Sequence, residues 1–440
     1  MWFVIHKKRI AKNSFLFLIS LVVCLVMVEV GFRLFYPQPL FDECNPDHPD
    51  WPHPLFISDA LLGHVPRQNG TWCLHQPDTN KKIIIHTNNK GLRANREFNY
   101  TKPANTLRIL VFGDSFVWSA NLADEETFSA QLENEIKKIL QERGNDTTQV
   151  EIIPFGVGAY GPQQSYLRYT SEGKKYAADL VLFLFYQNDF TDLFDEKAQY
   201  PRPWVAFREE NGTMAAHISS AEEVVSEIRN ESGNKMFPYF MDDYRQPKTT
   251  PRWYKRFFLS HSHLMVFMNN IREMRNKKSS EEEIGLLFKE MSTLNADLLK
   301  QFEKEGDDGA RFVSAAKQLS FLIGHFSQAV KHNTSAFALV NIPSVHQVQD
   351  AYLKIIADRI TDFPSREKRM ANYVLNETAA NNSIPYVDLT KLAYEHQNKF
   401  YHRTDNHWSP RGVEVSAAYV AEQLDEQGLL KERAKVKDTR

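Results

Sequence analysis

The sequence predicts a three-layer α/β sandwich with a parallel sheet, preceded by one transmembrane helix and a small β-rich region. Apolar runs with the length and composition of buried strands recur along the chain, and helical segments separate them. Several runs are apolar on both faces, which is typical of parallel strands covered by helices. Five such strands separated by helices predict a flavodoxin-like sheet. The runs are Leu107–Phe112, Val150–Phe155, Leu180–Phe185, Ala336–Ile342 and Pro385–Asp388.

Two helices are predicted from apolar residues at helical spacing. One follows the first strand, and the other follows Ser409-Pro410, a favourable N-cap and first-turn pair. The two stripes are Phe128, Leu132, Ile136, Ile139 and Leu140, and Val413, Ala417, Val420 and Leu424.

The N-terminus predicts an uncleaved membrane anchor over residues 1–36. Four basic residues precede a long apolar run that begins at Ser14 and continues to Tyr36, and no small-residue cleavage site follows it. Glu29 and Arg33 are four apart and can pair at the outer interface, which lets the span reach the roughly 20 residues that a bilayer needs. The basic side stays in the cytoplasm, so the rest of the chain is predicted outside it, in the periplasm if the host is bacterial. The basic residues are Lys7, Lys8, Arg9 and Lys12.

Three further segments are predicted after the anchor. Residues 37–103 form a membrane-proximal β-rich region with a strand near Lys82–His86, and residues 104–430 form the main α/β domain. An insertion at about 195–305 interrupts the strand and helix pattern. It is either a cap over the site or a solvated insertion, and an apolar helix is expected near Phe257–Asn270.

The composition gives no indication of a nucleic-acid or metal partner, and it leaves open whether two of the cysteines are bridged. The 440 residues carry a net charge of -2 with dispersed basic residues, which gives no case for a nucleic-acid partner. No cysteine or histidine cluster suggests a metal, and no cofactor is expected. Of three cysteines, Cys24 lies in the apolar run. Cys44 and Cys73 are either bridged, if they lie outside the cytoplasm, or two unrelated thiols.

Polar residues after separate strands predict an acyl-transfer site. Ser115 follows the first strand in Gly113-Asp114-Ser115, and Asn188 follows the most hydrophobic strand. Ligands bind at the carboxyl ends of strands in open α/β sheets. A serine hydroxyl needs a base, which His407 can supply if Asp405 orients its ring. An ordinary α/β-hydrolase is less favoured, because its nucleophile turn needs a glycine where Val117 stands.

Together these blocks resemble the GDSL or SGNH hydrolase superfamily, over a stretch from about Leu107 to Leu424. The resemblance implies the SGNH form of the flavodoxin-like sandwich, with Ser115 as nucleophile, His407 as base and Asp405 as the residue that orients it. One residue separates Asp405 from His407, where the family usually has two. That form, with a following tryptophan such as Trp408, is associated with membrane-bound branches and with those that handle polysaccharide O-acetyl groups.

The resemblance also implies an oxyanion hole formed by the Ser115 N–H, Asn188 and a backbone N–H of the second block. That block is Pro154–Gly161, in which the family's glycine aligns with Ala159. Only a backbone N–H is needed, so an alanine can serve if its φ is negative, and Gly158 is the alternative.

Two functions of different classes follow. The first is an anchored carboxylester hydrolase or O-acyltransferase that acts on an acylated small molecule, lipid or glycan of the cell envelope. The second is a catalytically idle module that binds glycan during envelope assembly. Hydrolase and transferase differ only in whether water or an acceptor hydroxyl takes the acyl group, and the sequence does not separate them.

Overall fold

The computed structural model of the chain describes residues 2–36, 44, 55–59, 61–76, 78–79, 81–119, 121–186, 189, 204–210, 213–219, 253–269, 271, 307–348, 372, 374–403 and 405–430. Asn188 and most of the predicted insertion lie outside these residues. The chain divides into two compact units. One is Met1–Trp51 with Pro247–Thr293, and the other is Pro52–Gln246 with Leu294–Arg440. The predicted boundaries at 36, 103 and 430 stay predictions.

The described strands are, in chain order, β1 Phe56–Asp59, β2 Gly63–Pro66, β3 Thr71–His75, β4 Lys82–His86, β5 Thr106–Phe112, β6 Gln149–Pro154, β7 Leu180–Tyr186, β8 Trp204–Glu210, β9 Thr213–Ser219, β10 Ala336–Ile342 and β11 Tyr386–Asp388. The described helices are α1 Trp2–Phe35, α2 Ser115–Trp118, α3 Phe128–Glu142, α4 Pro162–Ser171, α5 Trp253–His261, α6 Asp307–His332, α7 Val345–Val348, α8 Thr390–Glu395, α9 Gln397–Phe400 and α10 Pro410–Glu426. Short 3-10 helices occur at Asp124–Glu126 and Gly173–Tyr176.

The central sheet has five parallel strands in the order β11-β10-β7-β5-β6. This confirms the predicted parallel α/β fold. The chain passes from β5 to β6 on one side, and then to β7 on the other side of β5. The carboxyl end of β5 is therefore the point where the strand order reverses, which is where open α/β sheets bind ligands.

Alternating side chains of the sheet enter two separate cores, one on each face. Ile109 and Val111 of β5 belong to one core, with α3 and α10, and Leu110 and Phe112 belong to the other, with α4 and α6. The predicted stripe of α3 is buried except for Ile139, which packs at the edge of its core. The result is the predicted three-layer sandwich.

The predicted β-rich region is present as two antiparallel hairpins, β1–β2 and β3–β4. Its residues from Pro52 onward belong to the same compact unit as the sheet. The side chain of Arg93, which follows β4, is fully buried and donates to the Leu122 carbonyl at 2.8 Å, just after α2. It also pairs with Asp124. The β-rich region therefore packs against the segment that follows the predicted nucleophile.

The predicted insertion contains more regular structure than its sequence suggested. Strands β8 and β9 form an antiparallel hairpin. The single helix expected near Phe257–Asn270 is divided at Ser262 into α5 and helical backbone over 263–269.

Helix α1 contains a 23-residue segment, Asn13–Phe35, that is long and apolar enough to cross a membrane. A signal sequence passes the same test, so retention of this helix as an anchor stays a proposal. The predicted ion pair is present, with Arg33 Nε 2.9 Å from Glu29 Oε1. Cys44 and Cys73 are disulfide-bonded, and Cys24 is a free thiol.

A buried arginine links β5 to its surroundings. The Arg108 side chain is fully buried, and its Nε donates to Glu151 Oε2 of β6 at 2.5 Å. Its Nη1 donates to the carbonyls of Tyr176 at 2.7 Å and Tyr100 at 3.0 Å. Replacing this residue leaves a carboxylate and two carbonyls without their donor.

We predict that Arg108→Met lowers the free energy of unfolding by about 3 to 5 kcal/mol, since breaking a buried ion pair leaves its partner uncompensated. The matched control is Lys391→Met, which removes a long ion pair to Glu395 in which the lysine side chain is 90% exposed. Such pairs contribute on the order of 0 to 1 kcal/mol. Denaturant unfolding of the detergent-solubilised full chain checks both, and equal losses in the two variants would contradict the prediction.

Candidate active site

Ser115 lies on a tight turn between β5 and α2. Gly113 has φ +153°, and a Cβ there would lie 2.7 Å from Val117 Cγ2 and 2.9 Å from the Leu184 carbonyl oxygen, so the turn requires glycine. Asp114 caps α2, its carboxylate accepting from the Phe116 N–H at 2.9 Å. Ser115 is the first residue of α2, just past the carboxyl end of β5.

The segment that carries His407 is fixed at both ends. The Ser409 N–H donates to the Phe400 carbonyl at 3.0 Å, and the His402 N–H donates to the His407 carbonyl at 2.9 Å. Ser409 also caps α10, accepting from the Gly412 N–H at 3.1 Å. A Cβ on Gly412 would lie 2.0 Å from the Phe400 carbonyl oxygen, so glycine permits this close approach. The Asp405-Asn-His407 turn thus projects from a rigid base.

The structure brings Ser115, His407 and Asp405 together in one hydrogen-bonded chain. His407 Nε2 lies 2.7 Å from Ser115 Oγ, and His407 Nδ1 makes a short hydrogen bond to Asp405 Oδ1. A carboxylate accepts only, so Nδ1 carries the proton and Nε2 offers its lone pair to the serine hydroxyl. The His407 backbone N–H also donates to Asp405 Oδ1, at 2.9 Å.

The charges of this chain suit a base at neutral pH. Burial alone would raise the pKa of Asp405, but hydrogen bonds from His407 and Asn121 lower it to about 2, so the carboxylate stays ionised. Burial lowers the pKa of His407, yet the Asp405 carboxylate, with Asp114, raises it above its ordinary value. Asp405 therefore stabilises the imidazolium that forms when His407 takes a proton.

Asn121, for which no role was predicted, holds the far side of Asp405. Asn121 Nδ2 donates to Asp405 Oδ2 at 2.5 Å. Both carboxylate oxygens are therefore held, one by His407 and one by an amide 284 residues earlier in the chain. An asparagine six residues after the serine carries no motif, so no sequence signal pointed to it.

The second block runs beside the nucleophile turn, where the Val157 N–H donates to the Gly113 carbonyl at 3.2 Å. Ala159 was predicted to supply an oxyanion N–H on the condition that its φ is negative. Its φ is +64°, so that condition is not met. Its backbone adopts a left-handed conformation that the family glycine enters without strain. At Gly158, the alternative, an added Cβ would lie 3.6 Å from the Phe56 ring, which is an ordinary van der Waals contact. Packing therefore does not require a glycine at this position.

A buried histidine of the β-rich region orients the peptide between Gly158 and Ala159. His64 Nε2 lies 2.8 Å from the Gly158 carbonyl oxygen, and because a carbonyl only accepts, Nε2 carries the proton. In a trans peptide the Ala159 N–H points opposite to that carbonyl, away from His64. The Tyr160 hydroxyl donates to the His64 carbonyl at 2.6 Å. The sequence placed His64 in the β-rich region and gave it no role.

The same region also holds the His407 segment. Asp78, after β3, accepts from the Arg403 N–H at 2.8 Å and lies 3.2 Å from His402 Nδ1. The hairpins thus contact the chain on both sides of the triad, through His64 and through Asp78.

Asn188, the third predicted oxyanion donor, lies outside the described residues. Its neighbours in sequence are described: the Tyr186 N–H donates to Asp189 Oδ2 at 3.0 Å, and the Tyr186 and Phe116 rings lie 4.4 Å apart. Burial, with the nearby carboxylates of Asp114 and Asp405, raises the pKa of Tyr186. The end of β7 therefore lies beside the residue that follows Ser115. Among the residues the structure describes, no cluster of three or more His, Cys, Asp or Glu side chains could hold a metal ion.

A comparison with protein-family models agrees with the sequence resemblance. Residues 317–440 match the family model of the SGNH hydrolase-like domain of the acetyltransferase AlgX. Structurally similar proteins include an acetyl xylan esterase, AlAXEase, at 12% identity with 73% of this chain and 98% of that chain covered and a TM-score of 0.33. A lipase/acylhydrolase from Enterococcus faecalis gives 12% identity, 73% and 96% coverage and a TM-score of 0.32. No curated protein sequence matches the chain.

The family match covers the C-terminal block with Asp405 and His407. The described sheet is the α/β sandwich that the resemblance implied. The resemblance of this chain to the GDSL/SGNH hydrolase superfamily is thereby confirmed.

Proposed function

We propose that the chain is a serine-dependent carboxylester hydrolase or O-acyltransferase that uses Ser115, His407 and Asp405. The observation that carries the proposal is the hydrogen-bonded chain from Asp405 through His407 to Ser115 Oγ. A serine bonded to a correctly oriented imidazole is the activated nucleophile of acyl transfer.

In the proposed reaction, Ser115 Oγ attacks the ester carbonyl while His407 Nε2 takes its proton. The imidazolium then protonates the leaving alcohol, and an acyl group remains on Ser115. Water or an acceptor hydroxyl next gives its proton to His407 and bonds to the acyl carbon. As the bond from that carbon to Ser115 Oγ breaks, His407 returns the proton to Oγ, which restores the serine and the neutral imidazole. The negative charge of each tetrahedral intermediate would lie against the Ser115 N–H, the Asn188 amide and the Ala159 N–H. We keep Ala159 as the proposed donor although its φ is positive, because the hydrogen bond of His64 to the Gly158 carbonyl orients this peptide.

The family match supports acetyl as the acyl group, since its model is named for an acetyltransferase. The acyl carrier and acceptor we propose are a glycan, lipid or similar component outside the cytoplasm. The disulfide-bonded Cys44 and Cys73 support that compartment, because disulfides persist where the environment is oxidising. Helix α1 would act as the anchor, with its basic N-terminal side in the cytoplasm.

The second candidate, an idle glycan-binding module, needs no activated serine. In the structure, Asn121 holds the Asp405 carboxylate, and Asp405 fixes which nitrogen of His407 carries the proton. A site that only binds glycan gains nothing from this arrangement. The arrangement around Asp405 therefore favours the enzyme.

We predict that Ser115→Ala lowers turnover of a short-chain aryl ester by several orders of magnitude, since a triad acts as a unit. It should also abolish labelling by a serine-directed phosphonate. The matched control is Ser171→Ala, which removes an exposed hydroxyl bonded to carbonyls within α4 and should leave both readouts unchanged. Full labelling of the Ser115→Ala protein, or no labelling of the unsubstituted protein, would contradict the proposal.

The raised pKa of His407 predicts the acid limb of the pH profile. Only neutral His407 accepts the serine proton, so the phosphonylation rate should fall as the pH drops through a midpoint above about 6.5, the ordinary value for histidine. Asp405→Asn removes the carboxylate that raises this pKa, so the midpoint should move to lower pH while the maximal rate falls by roughly 10⁴-fold. The rate of labelling by excess phosphonate at each pH, followed by stopped flow when fast and over hours when slow, gives both the midpoint and the maximal rate. A lower rate with an unmoved midpoint would mean that Asp405 acts only in folding.

We predict that Asn188→Ala lowers kcat by about 100- to 1000-fold with KM nearly unchanged, because one oxyanion donor is lost. The melting temperature should stay near that of the unsubstituted protein. A lowered melting temperature with kcat per folded molecule preserved would remove Asn188 from the proposed site.

A further inference from the structure

Two charged residues of α1 hold the ends of two helical stretches in the 253–271 segment. These stretches are α5 and the helical backbone over 263–269, which meet at Ser262. The Glu29 carboxylate accepts from the N–H groups of His263 and Leu264, both at 3.0 Å, and from Ser262 Oγ at 2.8 Å. Arg33 Nη2 donates to the His261 carbonyl at 2.7 Å.

This pairing matches the charges of helix ends. An acid is favourable at the first N–H groups of a helix and a base at the last carbonyls. Glu29 and Arg33 meet these two ends at one junction, while they also pair with each other at 2.9 Å. Phe32 and Phe267 add a ring contact at 4.8 Å. The segment is therefore fixed to one level of α1.

Glu29 and Arg33 lie near the C-terminal end of the apolar span Asn13–Phe35. Glu29 lies 16 residues after Asn13, where the span begins, which is about 24 Å at 1.5 Å per residue. The hydrocarbon core of a bilayer is about 30 Å thick. If Asn13 lies at the inner boundary of that core, Glu29 approaches the outer boundary, and the 253–271 segment lies beside the headgroups.

The segment exposes apolar side chains on its outside. Leu259 and Val266 are buried against each other, whereas four large apolar residues remain open. The open residues are Phe257 at 54% exposure, Phe258 at 47%, Met268 at 53% and Ile271 at 38%. The sequence Trp253-Tyr-Lys-Arg-Phe-Phe258 combines aromatic and basic residues, as segments in membrane interfaces do.

We propose that the 253–271 segment is a second membrane contact, lying in the headgroup region of the bilayer that α1 spans. Phe257, Phe258, Met268 and Ile271 insert at the boundary of the acyl chains. Lipid rather than water then covers these side chains, which is favourable in proportion to the apolar area removed from water. The proposal rests on the anchoring of α1 proposed above, and it adds a surface that a helix crossing the membrane alone does not have.

Spin-label accessibility in the full-length chain tests this surface. The chain is reconstituted in phosphatidylcholine/phosphatidylglycerol vesicles, and single labels are compared for collision with oxygen, which partitions into the bilayer, and with a water-soluble nickel chelate. The native Cys24 thiol reports on α1. In a Cys24→Ser background, Phe258→Cys and Met268→Cys report on the segment. Lys391→Cys, at a side chain that is 90% exposed, reports on water. A melting temperature near that of the unsubstituted protein shows that each labelled variant is folded, whether or not the proposed activity is found.

We expect labels at 24, 258 and 268 to favour oxygen severalfold over the nickel chelate, relative to the label at 391. If the label at 24 favours oxygen while the labels at 258 and 268 collide with the nickel chelate as the label at 391 does, the membrane contact is overturned and the anchor stands. Protection of 258 and 268 from both reagents would also overturn it, since protein, such as a second copy of the chain, would then cover the segment. Aqueous values at 24 would instead mean that the anchor itself is wrong, and the proposal falls with it.

Discussion

The hydrogen bond that Ser115 Oγ donates to His407 Nε2 joins residues 292 positions apart, and the rest of the site depends on it. Neither residue is held by its own loop alone. Ser115 is fixed by β5 and by the glycine turn before it, while His407 is fixed by the contact of Phe400 with Ser409 and Gly412. An error of about 1 Å in either would separate a base from its nucleophile, which is costly in rate.

The parallel sheet explains why distant residues meet at this edge. Every strand of a parallel sheet presents its carboxyl end to the same side, and the order reverses at β5. Apolar runs followed by polar residues therefore sufficed to predict the fold and to indicate that Ser115 and His407 would meet. The triad partners Asp405 and His407 were predictable because a short motif precedes a capped helix, which identifies the loop without tertiary information.

The positioning residues were not predictable in the same way. Asn121 and His64 act through contacts with Asp405 and Gly158 that only tertiary packing creates. Ordinary residues at ordinary loop and strand positions leave no periodicity or spacing to detect. In the second block, by contrast, the sequence was enough to locate the loop. It was not enough to predict the sign of φ at Ala159, because that depends on how the surrounding loop folds. The hairpin β8–β9 was missed because its strands carry no regular alternation of apolar and polar residues.

The Gly158–Ala159 peptide and the His407 segment are each held by a hairpin of the β-rich region, and this matters for the proposed oxyanion donor. An oxyanion donor is effective only if it is oriented before charge develops, since reorientation during the reaction costs the energy it would supply. His64 fixes the Gly158 carbonyl, and thus the direction of the Ala159 N–H, from a hairpin outside the sheet. Asp78 holds the His407 segment from the neighbouring hairpin. In the proposed mechanism the β-rich region therefore preorganises the site, since loosening it would misplace both His407 and the Ala159 N–H without removing either.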